Sequence, residues 1–129
     1  MSKLITGALF SGLGDGAKFV KLDWVESQIK EKLGFRPYYG TINLRLDRAS
    51  IDIVRKLKDN EGVKIVPPDP KFCVAKTFKA KIMGKVEGAI ILPEATVHGK
   101  DTLELLAPIN LREALDLEDG QQVEVEIEA

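Results

Sequence analysis

Cysteine is almost absent from the chain, which has 129 residues and a single cysteine, Cys73. No disulfide can form within the chain, so a cross-linked framework like those of small secreted domains is excluded. We interpret Cys73 as a packing residue of a protein that works in a reducing compartment.

Excess charge of one sign is also absent, because 19 Lys and Arg face 20 Asp and Glu, for a formal charge of −1. Without a basic field to neutralise a phosphate backbone, nucleic acid is not expected as a partner. The apolar stretch within residues 1–16 is broken and far shorter than the roughly 20 residues of a membrane helix. We therefore predict a cytoplasmic protein with no membrane partner.

The remaining composition is typical of one folded domain. Hydrophobic residues make up 44% of the chain and charged residues 30%, within the ordinary range for globular proteins. A length of 129 residues fits a single domain, which we predict over residues 1–129.

Periodic patterns predict a mainly β chain with short helices. Alternation of apolar and polar residues predicts strands over residues 3–10, 18–22, 41–46, 102–107 and 123–127, and a long hairpin over residues 72–92. Helices are predicted from an Asp23 cap to Gly34, over residues 50–59, and after an Asn110 cap. Because the strands must close over one core, we predict a single-domain closed β-barrel, with an open sandwich as the alternative.

The segment SGLGDG contains three glycines at alternate positions, Gly12, Gly14 and Gly16. Glycines leave backbone N–H groups accessible and permit positive φ, and successive N–H groups can then bind phosphate oxygens. The segment lacks the Lys-Ser/Thr ending of a Walker loop and precedes a predicted strand, so neither a P-loop nor a Rossmann loop is indicated. A plain hairpin turn is the alternative.

Thr41 and Asn43 lie on one face of a predicted strand, about 7 Å apart. A hydroxyl and an amide carbonyl are hard oxygen donors, suited to magnesium that also binds substrate phosphates, and manganese would fit as well. Ordinary solvent-facing strand residues would explain the pair equally well.

Two further polar positions lie near the predicted strand over residues 102–107. Glu104 stands between Leu103 and Leu105, so its carboxylate points away from the core and could accept a proton or a hydrogen bond. Arg112 lies where a strand gives way to a helix start, a place that favours an anion or a polar base edge. A solvated strand face and a surface arginine are the corresponding alternatives.

Four segments resemble those of the archaeal CTP-dependent riboflavin kinase family in wording and spacing: SGLGDGAKF, LGFRPYYGTINLRLD, GAIILPEATVH and LELLAPINLREALDLEDG. The resemblance extends from Leu4 almost to Ile127. It implies a β-barrel of the cradle-loop type, unrelated to Walker kinases. It also implies transfer of the γ-phosphoryl group of CTP to the 5′-hydroxyl of riboflavin, giving FMN and CDP.

The resemblance further implies roles for individual residues. Phosphates of the nucleotide would be held by Gly12, Leu13, Gly14, Asp15, Gly16 and Ala17, cytidine by Ile109, Asn110, Leu111 and Arg112, magnesium by Thr41 and Asn43, and the flavin by Thr96 and Glu104. Our hypothesis is that Glu104 orients or deprotonates the ribityl hydroxyl. Ala17 stands where a longer basic residue could have offered a side chain to phosphate, although backbone contacts would survive that difference.

Two other functions are compatible with the same barrel. A flavin- or nucleotide-binding module without catalysis would keep the pockets and show no turnover. A DNA-binding transcription factor would need a concentrated basic surface, which the near-neutral charge disfavours.

Overall fold

The computed structural model describes residues 2–11, 15–69, 71, 74–93 and 101–128. In chain order, its elements are β1 (Ser2–Phe10), α1 (Asp15–Val20), α2 (Asp23–Leu33), β2 (Ile42–Leu46), α3 (Arg48–Leu57), β3 (Val63–Ile65), β4 (Ala75–Ile82), β5 (Val86–Pro93), β6 (Thr102–Leu106), α4 (Leu111–Ala114) and β7 (Gln122–Glu128).

Six strands close into an antiparallel barrel. The order around it is β4-β5-β6-β2-β1-β7, and β7 pairs again with β4. The edge of β4 is shared, because its residues 75–77 pair with β3 and its residues 80–82 pair with β7. The predicted closed barrel is therefore confirmed, and the open sandwich is excluded.

The barrel interior is filled by the apolar half of each alternating strand. In β2, Ile42, Leu44 and Leu46 are buried while Arg45 is exposed, as the alternation predicts. Helices complete the interior at both ends, since Val54 and Leu57 of α3 and Leu111 of α4 belong to the same cluster. The helix α3 follows the end of β2, and α4 follows the end of β6. Because β2 and β6 are antiparallel neighbours, the two helices lie at opposite ends of the barrel.

A second cluster covers part of the outer barrel surface. On β5, Ile90 belongs to the interior cluster, whereas its neighbours Ala89 and Ile91 belong to the outer one. The helix α2 packs on this surface through one buried stripe, Val25, Ile29 and Leu33. The glycine segment is thus followed by helices that lie against the outside of the barrel.

The strand predicted over residues 18–22 is wrong, because residues 15–20 form helix α1. Val20 is fully buried in the outer cluster, and the ring of Phe19 meets the ring of Trp24 edge-on at 5.9 Å. Five alternating residues fit a strand and a helical turn equally well, and packing against α2 decides in favour of the helix.

The caps of α2 agree with the prediction only at its C-terminus. Leu22 occupies the N-cap position without a side-chain hydrogen bond, so the predicted Asp23 cap is wrong and Asp23 is the first helical residue. Gly34 ends the helix with a φ of 83°, which glycine adopts at little cost.

The middle of the chain differs in detail from the prediction. The helix predicted over residues 50–59 begins earlier, at Arg48, because the Asp47 carboxylate accepts a hydrogen bond from the backbone N–H of Ser50. The strand β3 was not predicted, since three residues are too few to show a period. That residues 1–129 form one domain stays a prediction.

Candidate functional site

One row of residues crosses four neighbouring strands on the outer face of the barrel. Phe10 of β1 is opposite Asn43 of β2, Asn43 is opposite Glu104 of β6, and Glu104 is opposite Ile91 of β5. Directly paired residues share a face of the sheet. The register therefore brings Asn43 and Glu104 together. Phe10 is at one end of this row, and one residue, Ser11, separates it from the first glycine in the chain.

Thr41 completes a group of oxygen atoms at this row. Its Oγ1 donates a hydrogen bond to Oε2 of Glu104 at 2.6 Å, and both side chains are half-buried. Asn43 lies two residues further along the chain, on the same face. The structure thus brings Glu104 next to Thr41 and Asn43, which the sequence analysis assigned as a pair, and so groups a carboxylate with a hydroxyl and an amide.

This group has the donor chemistry of a hard-cation site. Oxygen donors that leave room for water and substrate phosphates suit magnesium. No cluster of three or more His, Cys, Asp or Glu side chains that could hold a metal occurs within the described ranges, so a site here uses mainly neutral donors. The hydrogen bond from Thr41 to Glu104 orients the hydroxyl, as groups behind metal ligands commonly do.

Three chain segments converge at the end of the barrel beside this row. Because neighbouring strands are antiparallel, β1 ends, β2 begins and β6 ends at the same side. The segments that follow β1, precede β2 and follow β6 are therefore neighbours. They contain Ser11, residues 35–41 and residues 107–112.

Contacts join the second and third of these segments. The backbone N–H of Tyr38 donates to the carbonyl of Ala107 at 2.8 Å, and Nδ2 of Asn110 donates to the Tyr38 hydroxyl at 3.3 Å. Oδ1 of Asn110 accepts from the N–H of Glu113 at 3.3 Å, which confirms the predicted helix cap. The amide of Asn110 is thus hydrogen-bonded through both its nitrogen and its oxygen.

A groove of about 650 Å³ lies beside these contacts, lined by Lys21, Arg36, Pro37, Tyr38, Tyr39 and Pro108. Glu26 fixes part of its wall, because its carboxylate accepts from Nε of Arg36 at 3.2 Å and from the Tyr39 hydroxyl at 2.5 Å. The hydrogen bond to Glu26 raises the pKa of Tyr39. Tyr39 therefore stays a neutral donor.

A cluster of three side chains connects the first segment with the third. Asp119, in the turn before β7, accepts from Nη2 of Arg112 through Oδ1 at 2.8 Å and from the hydroxyl of Ser11 through Oδ2 at 2.8 Å. Nη2 of Arg112 is also 3.5 Å from the Ser11 oxygen. These hydrogen bonds, first that of Arg112 and then that of Ser11, lower the pKa of Asp119.

The other predicted site residues are only partly visible. Gly12, Leu13, Gly14 and Thr96 lie outside the described residues, and Asp15, Gly16 and Ala17 are described as the backbone of α1. The sequence analysis missed Ser11, Tyr38 and Asp119. Ser11 directly precedes the glycines, and that position was the one signal available, since only the fold brings Tyr38 and Asp119 to the same end.

None of the helices in the described part of the chain is long and apolar enough to cross a membrane.

Comparison with known proteins assigns the chain to a family. The family model CTP-dep_RFKase, whose description is Domain of unknown function DUF120, matches residues 9–127. The chain belongs to this family. The described residues of the candidate site fall inside the matched range, and the resemblance found in the sequence is confirmed.

Curated relatives of this CTP-dep_RFKase chain carry the name riboflavin kinase. The protein of Pyrobaculum aerophilum is 43% identical over 127 residues, which are 95% of this chain and 60% of that protein. The protein of Archaeoglobus fulgidus is 41% identical over 126 residues, 95% of this chain and 54% of its own length. The chain thus spans little more than half the length of these relatives. In contrast, the protein of Methanobrevibacter smithii is 39% identical over 122 residues, which are 98% of its length.

Proposed function

We propose that this protein transfers the γ-phosphoryl group of CTP to the 5′-hydroxyl of riboflavin and releases FMN and CDP. One observation carries the proposal: a protein named riboflavin kinase, that of Methanobrevibacter smithii, is matched over 98% of its length. A chain of this extent therefore suffices for a protein of that name. The convergence of the three segments beside Thr41, Asn43 and Glu104 supports the same function.

The phosphates of the donor would lie on the glycine segment, residues 12–17. Backbone N–H groups there would neutralise oxygen charge without a Walker lysine, which fits a loose transition state that needs positioning and charge compensation. Magnesium bound by Thr41 and Asn43 would supply the remaining positive charge, and manganese could replace it. The register supports this arrangement, because Phe10 is opposite Asn43 and only Ser11 separates Phe10 from Gly12 in the chain.

Glu104 has two roles in the proposal. Its carboxylate accepts a hydrogen bond from the Thr41 hydroxyl, which leaves the lone pairs of the hydroxyl oxygen available to magnesium. It also orients the ribityl hydroxyl of riboflavin or takes its proton during transfer, since it lies in the row that contains Asn43. Thr96 would contact the flavin together with Glu104.

Cytidine would be recognised by residues 109–112. The Asn110 side chain is engaged with Tyr38 and Glu113, so backbone groups of this segment would read the base edge. Ile109 is exposed and lies next to the groove-lining Pro108, so it offers apolar surface to the base. The selection of CTP over other nucleotides rests on the family.

FMN formation from riboflavin tests the proposal. Purified protein is incubated with riboflavin, magnesium and, in parallel, CTP, ATP, GTP or UTP, and FMN is separated from riboflavin by chromatography. We expect FMN with CTP and little with the other donors. FMN from ATP alone would contradict the cytidine assignment. If no FMN forms with any donor, with magnesium or with manganese, a binding module without catalysis would be the better description.

The cytoplasmic location remains a prediction.

A further inference from the structure

We propose that Asp119 is a positioning residue for the nucleotide: it fixes Ser11, which directly precedes the glycine segment in the chain, relative to Arg112 and thereby sets nucleotide affinity. The inference rests on the proposed function, because it assigns the nucleotide to these two segments. Asp119 belongs to neither segment, and no role in binding follows from its place in the sequence.

The first argument is the way in which Asp119 uses its two oxygens. Oδ1 accepts from Arg112 and Oδ2 accepts from Ser11, each at 2.8 Å. One carboxylate therefore spans two segments that are remote in the chain. In the chain, Ser11 directly precedes Gly12, the first residue of the proposed phosphate-binding segment.

The second argument is that the turn carrying Asp119 is held by other contacts. The N–H of Gly120 donates to the carbonyl of Leu9 at 2.7 Å, and the N–H of Leu9 donates to the carbonyl of Gln121 at 2.9 Å. Gln121 also closes the turn on Glu118 through its backbone and its side chain. The Asp119 carboxylate is thus an addition to a turn that is already fixed against β1.

The third argument concerns magnitude. The Asp119 and Arg112 side chains are 55% and 37% exposed, and exposed ion pairs contribute little to stability. A purely structural role would therefore be weak. Orientation of Arg112 and Ser11, in contrast, matters whenever a ligand must contact both segments at once, because side chains that are already ordered lose less entropy on binding.

Charge provides a test in which the sign of the effect decides. If Asp119 were only a nearby negative charge, its removal would reduce repulsion of the phosphates and tighten nucleotide binding. If Asp119 positions its two partners, its removal weakens binding despite the lost repulsion. The two explanations therefore predict opposite changes in affinity.

The experiment is calorimetric titration of CDP with magnesium into wild type, Asp119→Ala and Asp119→Asn. We expect Asp119→Ala to weaken CDP binding about three- to tenfold. This loss lies between the contribution of an exposed ion pair and that of a charge-assisted hydrogen bond. Asp119→Asn keeps an acceptor for Arg112 and should fall between Asp119→Ala and wild type. Because it also preserves side-chain shape, it keeps the test available if the alanine variant fails to fold.

The matched control is Glu118→Ala, which removes a carboxylate from the same turn. Among the described residues, no side-chain hydrogen bond or ion pair involves the Glu118 carboxylate, so this variant measures the effect of charge alone. Ser11→Ala and the Ser11→Ala/Asp119→Ala double variant show whether the effects of the two residues on CDP binding depend on each other. We expect the double variant to lose less than the two single losses combined.

Several results would overturn the inference. These are CDP binding by Asp119→Ala that is unchanged or tighter, a loss equal to that of Glu118→Ala, or an equal loss of riboflavin affinity, which would indicate a general structural role. If wild type forms no FMN but binds CDP, and Asp119→Ala weakens that binding, the proposed reaction fails while the positioning role is supported. Wild type that binds neither CDP nor another nucleoside diphosphate would overturn both.

Discussion

Replacing Thr41 with valine removes one hydroxyl and keeps the branched shape of the side chain. The hydroxyl donates to the Glu104 carboxylate at 2.6 Å in a half-buried position. A hydrogen bond to a charged group contributes about 1.5–3 kcal/mol. Because water reaches part of this contact, we expect Thr41→Val to lower the free energy of unfolding by about 1.5–2 kcal/mol, the lower part of that range.

The same substitution removes a proposed metal ligand. Changes next to a metal commonly weaken its binding 10- to 100-fold, so the magnesium concentration that gives half-maximal FMN formation should rise by about that factor. Urea denaturation measures the stability effect, and FMN formation over a magnesium series measures the metal effect. Thr41→Ser is the matched control, because it keeps the hydroxyl and should stay close to wild type in both assays.

The two parts of this reasoning can fail separately. If Thr41→Val shows the magnesium dependence of wild type, Thr41 is not a metal ligand. Unchanged stability would mean that the hydrogen bond to Glu104 contributes no net free energy, since water replaces it in the unfolded chain.

Three further changes test other parts of the molecule. Glu104→Gln should lower kcat about 100-fold or more if the carboxylate takes or orients the acceptor proton, whereas near-normal turnover in steady-state kinetics would exclude that role. Gly88→Ala would place a Cβ atom 2.3 Å from the backbone oxygen of Leu106, so urea unfolding should show a free energy of unfolding lower by about 3 kcal/mol. The control is Gly84→Ala, at an open turn with a φ of 66°, which should lower the free energy of unfolding by only about 1 kcal/mol. Equal losses for the two variants would contradict the steric argument. Hydrogen bonds from Thr6 and Ser50 lower the pKa of Asp47 below 3.8. The ionised Asp47 carboxylate therefore stabilises the folded protein above pH 3.8, and this stabilisation is lost as the pH falls through the lowered pKa. Asp47→Ala should therefore cost about 1 kcal/mol at pH 7 and less at pH 3, and a pH-independent difference in urea unfolding would refute this.

Strand periodicity predicted most of the barrel because each strand has one buried and one exposed face. In β7 the buried residues Val123, Val125 and Ile127 alternate with glutamates, and such a pattern fits no helix. The prediction failed for residues 18–22, because five residues are too few to distinguish the period of a strand from that of a helix. Packing against α2 favours helix α1. It also failed at Asp23, a residue type suited to capping, because in the structure Asp23 lies one position inside the helix.

The site could be predicted as a set of residues but not as an arrangement. Thr41, Asn43 and Glu104 were each identified from residue type and strand position or from resemblance. Strand alternation predicted that Thr41 and Asn43 share a face, but the proximity of Glu104 to them depends on the register between β2 and β6, which no local pattern specifies. The Asp119 cluster depends on the same kind of long-range pairing, between β1 and β7.

The long-range register of the row that contains Asn43 and Glu104 also has a consequence for the order of folding. Thr41 and Glu104 are 63 positions apart, and Ser11 and Asp119 are 108 positions apart. Pairings between such distant residues form slowly, because loop entropy is lost before any contact is gained. Helical turns can therefore form early in refolding, while nucleotide binding should return only with the last strand pairing that completes the barrel.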